Sequence, residues 1–275
     1  GGIGRGEAVA AYLEMGAVGV QIGTNVNQLN LGEPQFFDFF KACEELGIPL
    51  SEEDRLRPFI EMSGRKGLGV KADDLIDRLE SDALSEVESR HPELSKDEQL
   101  QTAHQIAVGA LRYFLLKFTR NSVIAFDFQE ALSFEGETGP YCQYAAVRAN
   151  SIFRKLNDDA VERAVQVVNG SDAEVKTRLT EVFADEAGTE IWSLVMLAQR
   201  LEEMVAQAAQ SAEPANLAKY TFTLARAFNL FYHRHRIIAE EDETKRAILI
   251  AVANITRRQL TSALATLGIE VPERM

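Results

Sequence analysis

Two stretches of this chain gather the residue types that chemistry requires. Met62-Ser-Gly-Arg-Lys-Gly67 sets a hydroxyl (Ser63) and two cations (Arg65, Lys66) among Gly64 and Gly67. Glycines let a backbone approach an anion closely, so the string suits phosphate contact, although a solvated turn has the same composition. It lacks the Gly-x-x-x-x-Gly-Lys-Ser/Thr spacing of a P-loop. The second stretch begins at Tyr141. At 100° per residue Tyr141, Tyr144, Arg148, Ser151 and Lys155 share one stripe, while Cys142, Ala145, Ala149, Ile152, Phe153 and Leu156 form an apolar stripe beside it. Two aromatic planes followed by a guanidinium and an ammonium suit unstacked bases and phosphates. The same spacing also fits half-buried rings whose hydroxyls stay wet.

The elements that must position these residues change character near residue 70. Before it, apolar extended runs at 17–22 and 56–60 flank an expected helix at 34–46, whose Phe36, Phe37, Phe39, Phe40 and Cys43 crowd one face. Strand, helix, strand is the unit of a parallel nucleotide-binding sheet, here too short to close alone. After residue 70 the signals are helical. Leu75, Ile76, Leu79, Ala83, Leu84 and Val87 mark one amphipathic helix, and Ser95 with Glu98 resembles a capping box opening another, with Leu100, Ala103, Ile106, Ala107, Ala110 and Phe114. Pro140 suits the first position of the Tyr141 helix, where no backbone N–H is needed. Later apolar series run through Ile191 and Leu194, through Leu224, Phe228 and Phe231, and through Ala247, Ile250, Ile255 and Leu260. The expected fold is mainly α: a helical bundle at 71–275 after the end of a Rossmann-like α/β domain at 1–70. Trp192 reads as a core residue.

The 275 residues are 46% apolar, enough for a sizeable core, and carry a formal net charge of −13. That balance argues against general binding of polyanions such as DNA, which rests on clustered cations. A specific RNA contact then depends on local clusters, for which Arg65 with Lys66, Arg148 with Arg154 and Lys155, and Arg234 with Arg236 are candidates. Cys43 and Cys142 lie far apart with no metal-ligand spacing, and His91, His104, His233 and His235 form no ligand set, so no metal site is expected. No long apolar run or signal core occurs, and a cytoplasmic protein away from the membrane is expected.

Residues 126–155, running Phe-Asp-Phe-Gln-Glu-Ala-Leu-Ser-Phe-Glu-Gly-Glu-Thr-Gly-Pro-Tyr-Cys-Gln-Tyr and on to Arg154-Lys155, resemble the opening of the anticodon-binding helical domain of arginyl-tRNA synthetases. Ala227-Phe-Asn-Leu-Phe-Tyr-His233 and the terminal Pro272-Glu-Arg-Met275 match the same family in the same order. Met62-Ser-Gly-Arg-Lys-Gly67 resembles the mobile signature loop of class I aminoacyl-tRNA synthetases. The resemblance implies ATP and arginine as substrates, with Mg2+, and arginine tRNA as partner. It further implies that Met62, Ser63, Gly64, Arg65, Lys66 and Gly67 contact ATP, with Ser63, Arg65 and Lys66 acting in catalysis on its phosphates. Tyr141, Gln143, Tyr144, Arg148, Lys155, Asn229 and Tyr232 are then the expected tRNA contacts, and Asn229 or Tyr232 either touches the anticodon loop or supports residues that do.

The resemblance extends from about Arg57 to Met275; residues 1–23 resemble nothing identified. Glu61 stands where the family often has lysine, Gly64 where threonine or a second lysine is frequent, and Gln35-Phe36 where it has His-Phe. The class I His-x-Gly-His signature is missing from these residues, so the chain reads as a C-terminal portion that does not complete catalysis alone. Two other readings stay open: a catalytically inactive tRNA-binding module, and another class I synthetase such as the cysteine enzyme, whose zinc ligands are not present.

Overall fold

The computed structural model describes residues 72–275 except 123, 125, 157 and 170–172. The expected strand-helix-strand unit, the loop Met62 to Gly67 and Cys43 lie outside the described residues. Among the described residues all regular structure is helical. These residues form two compact units: the first runs to Pro140 and takes in Glu213–Ala215 and Leu267–Ile269, and the second holds the remainder from Tyr141 onward.

In the first unit α1 (Ala72–Arg90) and α2 (Lys96–Leu116) form an antiparallel hairpin. Its register is visible in the contacts of Lys96 with Glu88 and of His104 with Glu80, each step along one helix matching a step back along the other. Ser95 starts α2 with the expected capping box: its hydroxyl accepts from the Glu98 N–H, and the Glu98 carboxylate accepts from the Ser95 N–H at 2.8 Å. Leu75, Leu79, Ala107, Leu111 and Phe114 meet across the hairpin, and Phe126, Phe128 and Ala131 close the core from the segment that follows. Leu100, expected inside, is 49% exposed, because the buried line enters α2 through Gln99 and Ala103 instead.

An edge-to-face series links Phe118, Phe114, Phe126 and Phe128, with centroids 4.7 to 5.5 Å apart. Lys117 lies over the rings of Phe114 and Phe118, donates to Glu130 at 2.5 Å and reaches the Glu137 carbonyl at 3.3 Å. One cation thus ties α2 to α3 (Phe128–Leu132) and to the loop beyond it. Within that loop the Thr138 hydroxyl donates to the Ser133 carbonyl at 2.6 Å, and Gly136 takes a left-handed φ of 80°. The loop delivers the chain to α4 (Gly139–Lys155) with Pro140 in its first turn.

In the second unit α4 is followed by α5 (Asp158–Asn169), α6 (Ala173–Val182), α7 (Glu186–Ala198), α8 (Leu201–Ser211), α9 (Pro214–Arg234) and α10 (Glu243–Thr266). Asp158–Asn169 is helix throughout, and Ala212 closes α8 at a left-handed φ of 49° just ahead of Pro214, where α9 starts. Every residue from Ala247 to Ala253 is buried, so α10 is enclosed on all sides at this level and packs against α5, α6 and α7. Ile255, also expected inside, is 38% exposed just beyond that enclosed turn.

Two glycines of the loop into α4 are needed for different reasons. A Cβ on Gly139 would stand 2.3 Å from the Gly109 carbonyl oxygen of α2, whereas Gly136 has open space but a positive φ. Gly139→Ala is expected to lower stability by about 1 to 3 kcal/mol or more through forced backbone separation. Gly136→Ala should cost only about 1 to 2 kcal/mol of conformational strain. Denaturant unfolding of both variants checks this; equal losses would show that the close approach of Gly139 to Gly109 is not what sets the path of the chain at Gly139.

Candidate nucleic-acid interface

Helix α4 serves two surfaces because its periodicity separates them. Cys142, Ala145, Ala149 and Ile152 are at most 2% exposed and form its inner stripe; their small size lets neighbouring elements come close. Tyr141, Tyr144, Arg148 and Ser151 are half-buried on the other side. There α4 runs parallel to α9 in a fixed register: Tyr141 meets Phe222 and Arg148 meets Asn229, each pair 81 positions apart in the chain.

Arg148 is the centre of this seam. Its guanidinium lies 4.6 Å from the centroid of Tyr144 and 4.9 Å from that of Tyr232, and it donates to the Asn229 Oδ1 at 2.6 Å. A planar, weakly hydrated cation suits a place between two ring faces, where the ring quadrupoles attract it. Asn229 is buried, and this bond satisfies its carbonyl oxygen. The Ser151 hydroxyl donates to the Arg148 carbonyl at 2.7 Å. Two turns earlier along the seam the rings of Tyr141 and Phe222 meet at 5.3 Å, and Arg226 stands 5.8 Å from the Phe222 ring centroid.

The structure therefore brings together Tyr144, Arg148, Asn229 and Tyr232 from two helices distant in sequence. It sets Tyr141 on the same seam and leaves Lys155 exposed at the end of α4. Gln143, expected on the RNA side, is instead fully buried: its amide donates to the Glu270 carbonyl at 2.7 Å, anchoring the segment after α10 whose carbonyls have left the helix ladder. Arg154 is likewise engaged, donating to the Glu273 carbonyl at 2.7 Å, and Arg234 pairs with Glu190. Trp192 is not core: it is 51% exposed, edge-on to Phe183 at 5.7 Å. Ile191 and Leu194 hold the buried line of α7, and Trp192 falls just off it. Phe222 and Arg226 were missed. Their i, i+4 spacing on a helix without carboxylates was the signal that would have found them.

Charge is segregated in the same way. Helices α4 and α9 carry three Lys or Arg each and no Asp or Glu, in a chain of net charge −13. No group of three or more His, Cys, Asp or Glu among the described residues is placed to hold a metal ion, and no helix there is long and apolar enough to cross a membrane.

Most of this second unit falls within a match to a known family model. Residues 142–275 match the family model of the DALR anticodon binding domain. Over most of its length the chain is homologous to the C-terminal portion of arginyl-tRNA synthetases. It is 34% identical over 255 residues to the arginine–tRNA ligase of Methanosarcina barkeri, covering 93% of this chain and 40% of that one. To the Streptococcus suis ligase it is 35% identical over 239 residues, covering 87% and 38%. Among solved structures, arginyl-tRNA synthetase from Thermus thermophilus superposes with a TM-score of 0.63 at 28% identity, covering 78% of this chain and 33% of that one. The chain spans about two fifths of the length of the curated relatives it matches.

If Arg148 joins α4 to α9, removing it should register in stability. Arg148→Ala is expected to cost about 1 to 3 kcal/mol, mainly because the buried Asn229 carbonyl loses its donor. Arg148→Lys should recover less than half of that loss, since an ammonium cannot fill the planar slot between two rings. Full recovery in Arg148→Lys would show that charge alone is required and that the sandwich geometry is incidental.

Proposed function

We propose that this chain is the tRNA-binding portion of an arginine–tRNA ligase, and that the α4–α9 seam faces the anticodon loop of arginine tRNA. The observation that carries this reading is the Tyr144, Arg148, Tyr232 sandwich on two helices without carboxylates. Arg148 occupies one face of each tyrosine, so bases stack on the outer faces. Lys155 meets the phosphate backbone, which positions RNA without reading it. Asn229 and the inward Gln143 act from within, holding Arg148 and the C-terminal segment in place.

In the whole ligase the arginine carboxylate attacks the α-phosphate of ATP, forming arginyl-adenylate and releasing pyrophosphate. A hydroxyl at the 3′ end of the tRNA then takes the arginyl group and AMP leaves. Ser63, Arg65 and Lys66 of the stretch Met62 to Gly67 would contact the ATP phosphates, and Mg2+, when bound, would supply further neutralisation of their charge. The protein works in the cytoplasm, where translation takes place. This chain alone should bind arginine tRNA in a salt-sensitive manner. Lacking the His-x-Gly-His signature, it should show no arginine-dependent pyrophosphate exchange.

The two stripes of α4 provide the test. Tyr144→Ala is expected to weaken arginine tRNA binding by about 1 to 3 kcal/mol through lost stacking, with an anticodon-mutated tRNA less affected. Ile152→Ala should lower the unfolding free energy by about 2 to 5 kcal/mol through a core cavity. Affinity and thermal unfolding are measured for both. If Tyr144→Ala unfolds the domain as severely as Ile152→Ala yet leaves binding by the folded fraction unchanged, Tyr144 is a packing residue and the interface lies elsewhere.

A further inference from the structure

We propose that Phe222 and Arg226 of α9, with Lys219 beside them, form a second binding step for single-stranded RNA on the α4–α9 seam, next to the one centred on Arg148. The proposal rests on the tRNA-binding reading above and extends it to residues outside the set expected from the sequence.

The parallel register of the two helices carries the argument. Tyr141 pairs with Phe222 as Arg148 pairs with Asn229, seven residues further along both helices. Seven residues at 1.5 Å each place the two steps about 10 Å apart along one seam. Each step has the same chemistry, rings contributed by both helices and an arginine over at least one of them: Arg148 between Tyr144 and Tyr232, and Arg226 over Phe222, which meets Tyr141. The two arginines nevertheless differ in use. Arg148 is tied to Asn229, while Arg226 is exposed and has no carboxylate partner among the described residues. Lys219, also exposed, lies one turn before Phe222 on the stripe that Arg226 continues one turn after it. A base stacked on the Phe222 ring would therefore have a cation on either side for its flanking phosphates. Helix α9 offers no carboxylate to repel them. The spacing of about 10 Å exceeds the roughly 3.4 Å rise per nucleotide of a stacked strand. The seam thus fits bases splayed apart with backbone between them, the form in which loops are read.

The test uses the full chain and arginine tRNA, with Tyr144→Ala as the reference for the first step. Arg226→Gln changes an exposed side chain and should leave unfolding unaltered. It should weaken binding about threefold to tenfold and reduce the slope of log affinity against log salt by about one. Phe222→Leu keeps apolar volume but removes the ring face, and should weaken binding at least about fivefold. Should Phe222→Leu not fold, Arg226→Gln decides through the salt slope alone. Wild-type affinity and salt slope in Arg226→Gln, with Tyr144→Ala still impaired, would overturn the second step and leave the first standing. Wild-type affinity in Arg226→Gln, Phe222→Leu and Tyr144→Ala alike would overturn both.

Discussion

A single guanidinium, that of Arg148, connects two helices that begin some 75 residues apart in the chain. It fills the space between Tyr144 of α4 and Tyr232 of α9 and satisfies the buried Asn229. Much of the second unit can be understood as what makes that placement possible. The inner stripe of α4 is small, with Cys142, Ala145, Ala146 and Ala149 fully buried, so the helix sits deep and its aromatic stripe meets α9. The alanines Ala218 and Ala225 of α9 are equally buried, and Phe228 fixes that helix from below. Tyr220 anchors α9 further by donating to the carbonyls of Leu197 and Ala198; burial pushes its phenol up to about 12, so it remains a donor throughout the physiological range.

Electrostatics set the seam apart from the rest of the chain. A chain of net charge −13 repels polyanions at a distance, and attraction is confined to where carboxylates have been excluded. Helices α4 and α9 are such places, while ion pairs elsewhere, such as Arg78 with Asp82, Arg90 with Glu86 and Arg200 with Glu203, return their cations to local carboxylates. Of the same two helices' cations, Arg234 pairs with the Glu190 carboxylate and Arg154 donates to the Glu273 backbone carbonyl. Lys155 is exposed at the end of α4, and Lys219 and Arg226 are exposed on α9, with Arg226 over the Phe222 ring.

Much of this was legible in the sequence where one local signal decides the outcome. The Ser95 capping box formed, α4 began at Gly139, one residue before the expected first position at Pro140, and a period of 3.6 separated the two stripes of α4. Periodicity failed where the answer depends on what covers a face. Trp192 sits one position off the line of Ile191 and Leu194, and no amphipathic pattern says that nothing lies over it. Gln143 lies on a polar-looking helix position, but its burial is decided by a carbonyl 127 residues away. The Arg148 sandwich was out of reach for the same reason. Each helix announced its rings and cations separately, and only the parallel register of α4 and α9 makes them one surface.

Contact between this shared surface and tRNA is read directly by side-chain footprinting. Hydroxyl radicals modify exposed tyrosine, phenylalanine, tryptophan and methionine, so one experiment compares the seam with the exposed Trp192 and Met196 of α7. With arginine tRNA bound, modification of Tyr144 and Tyr232 should fall severalfold, while Trp192 and Met196 react as in the free chain. Protection of Trp192 and Met196, with Tyr144 and Tyr232 unchanged, would contradict the account and move the RNA to α7.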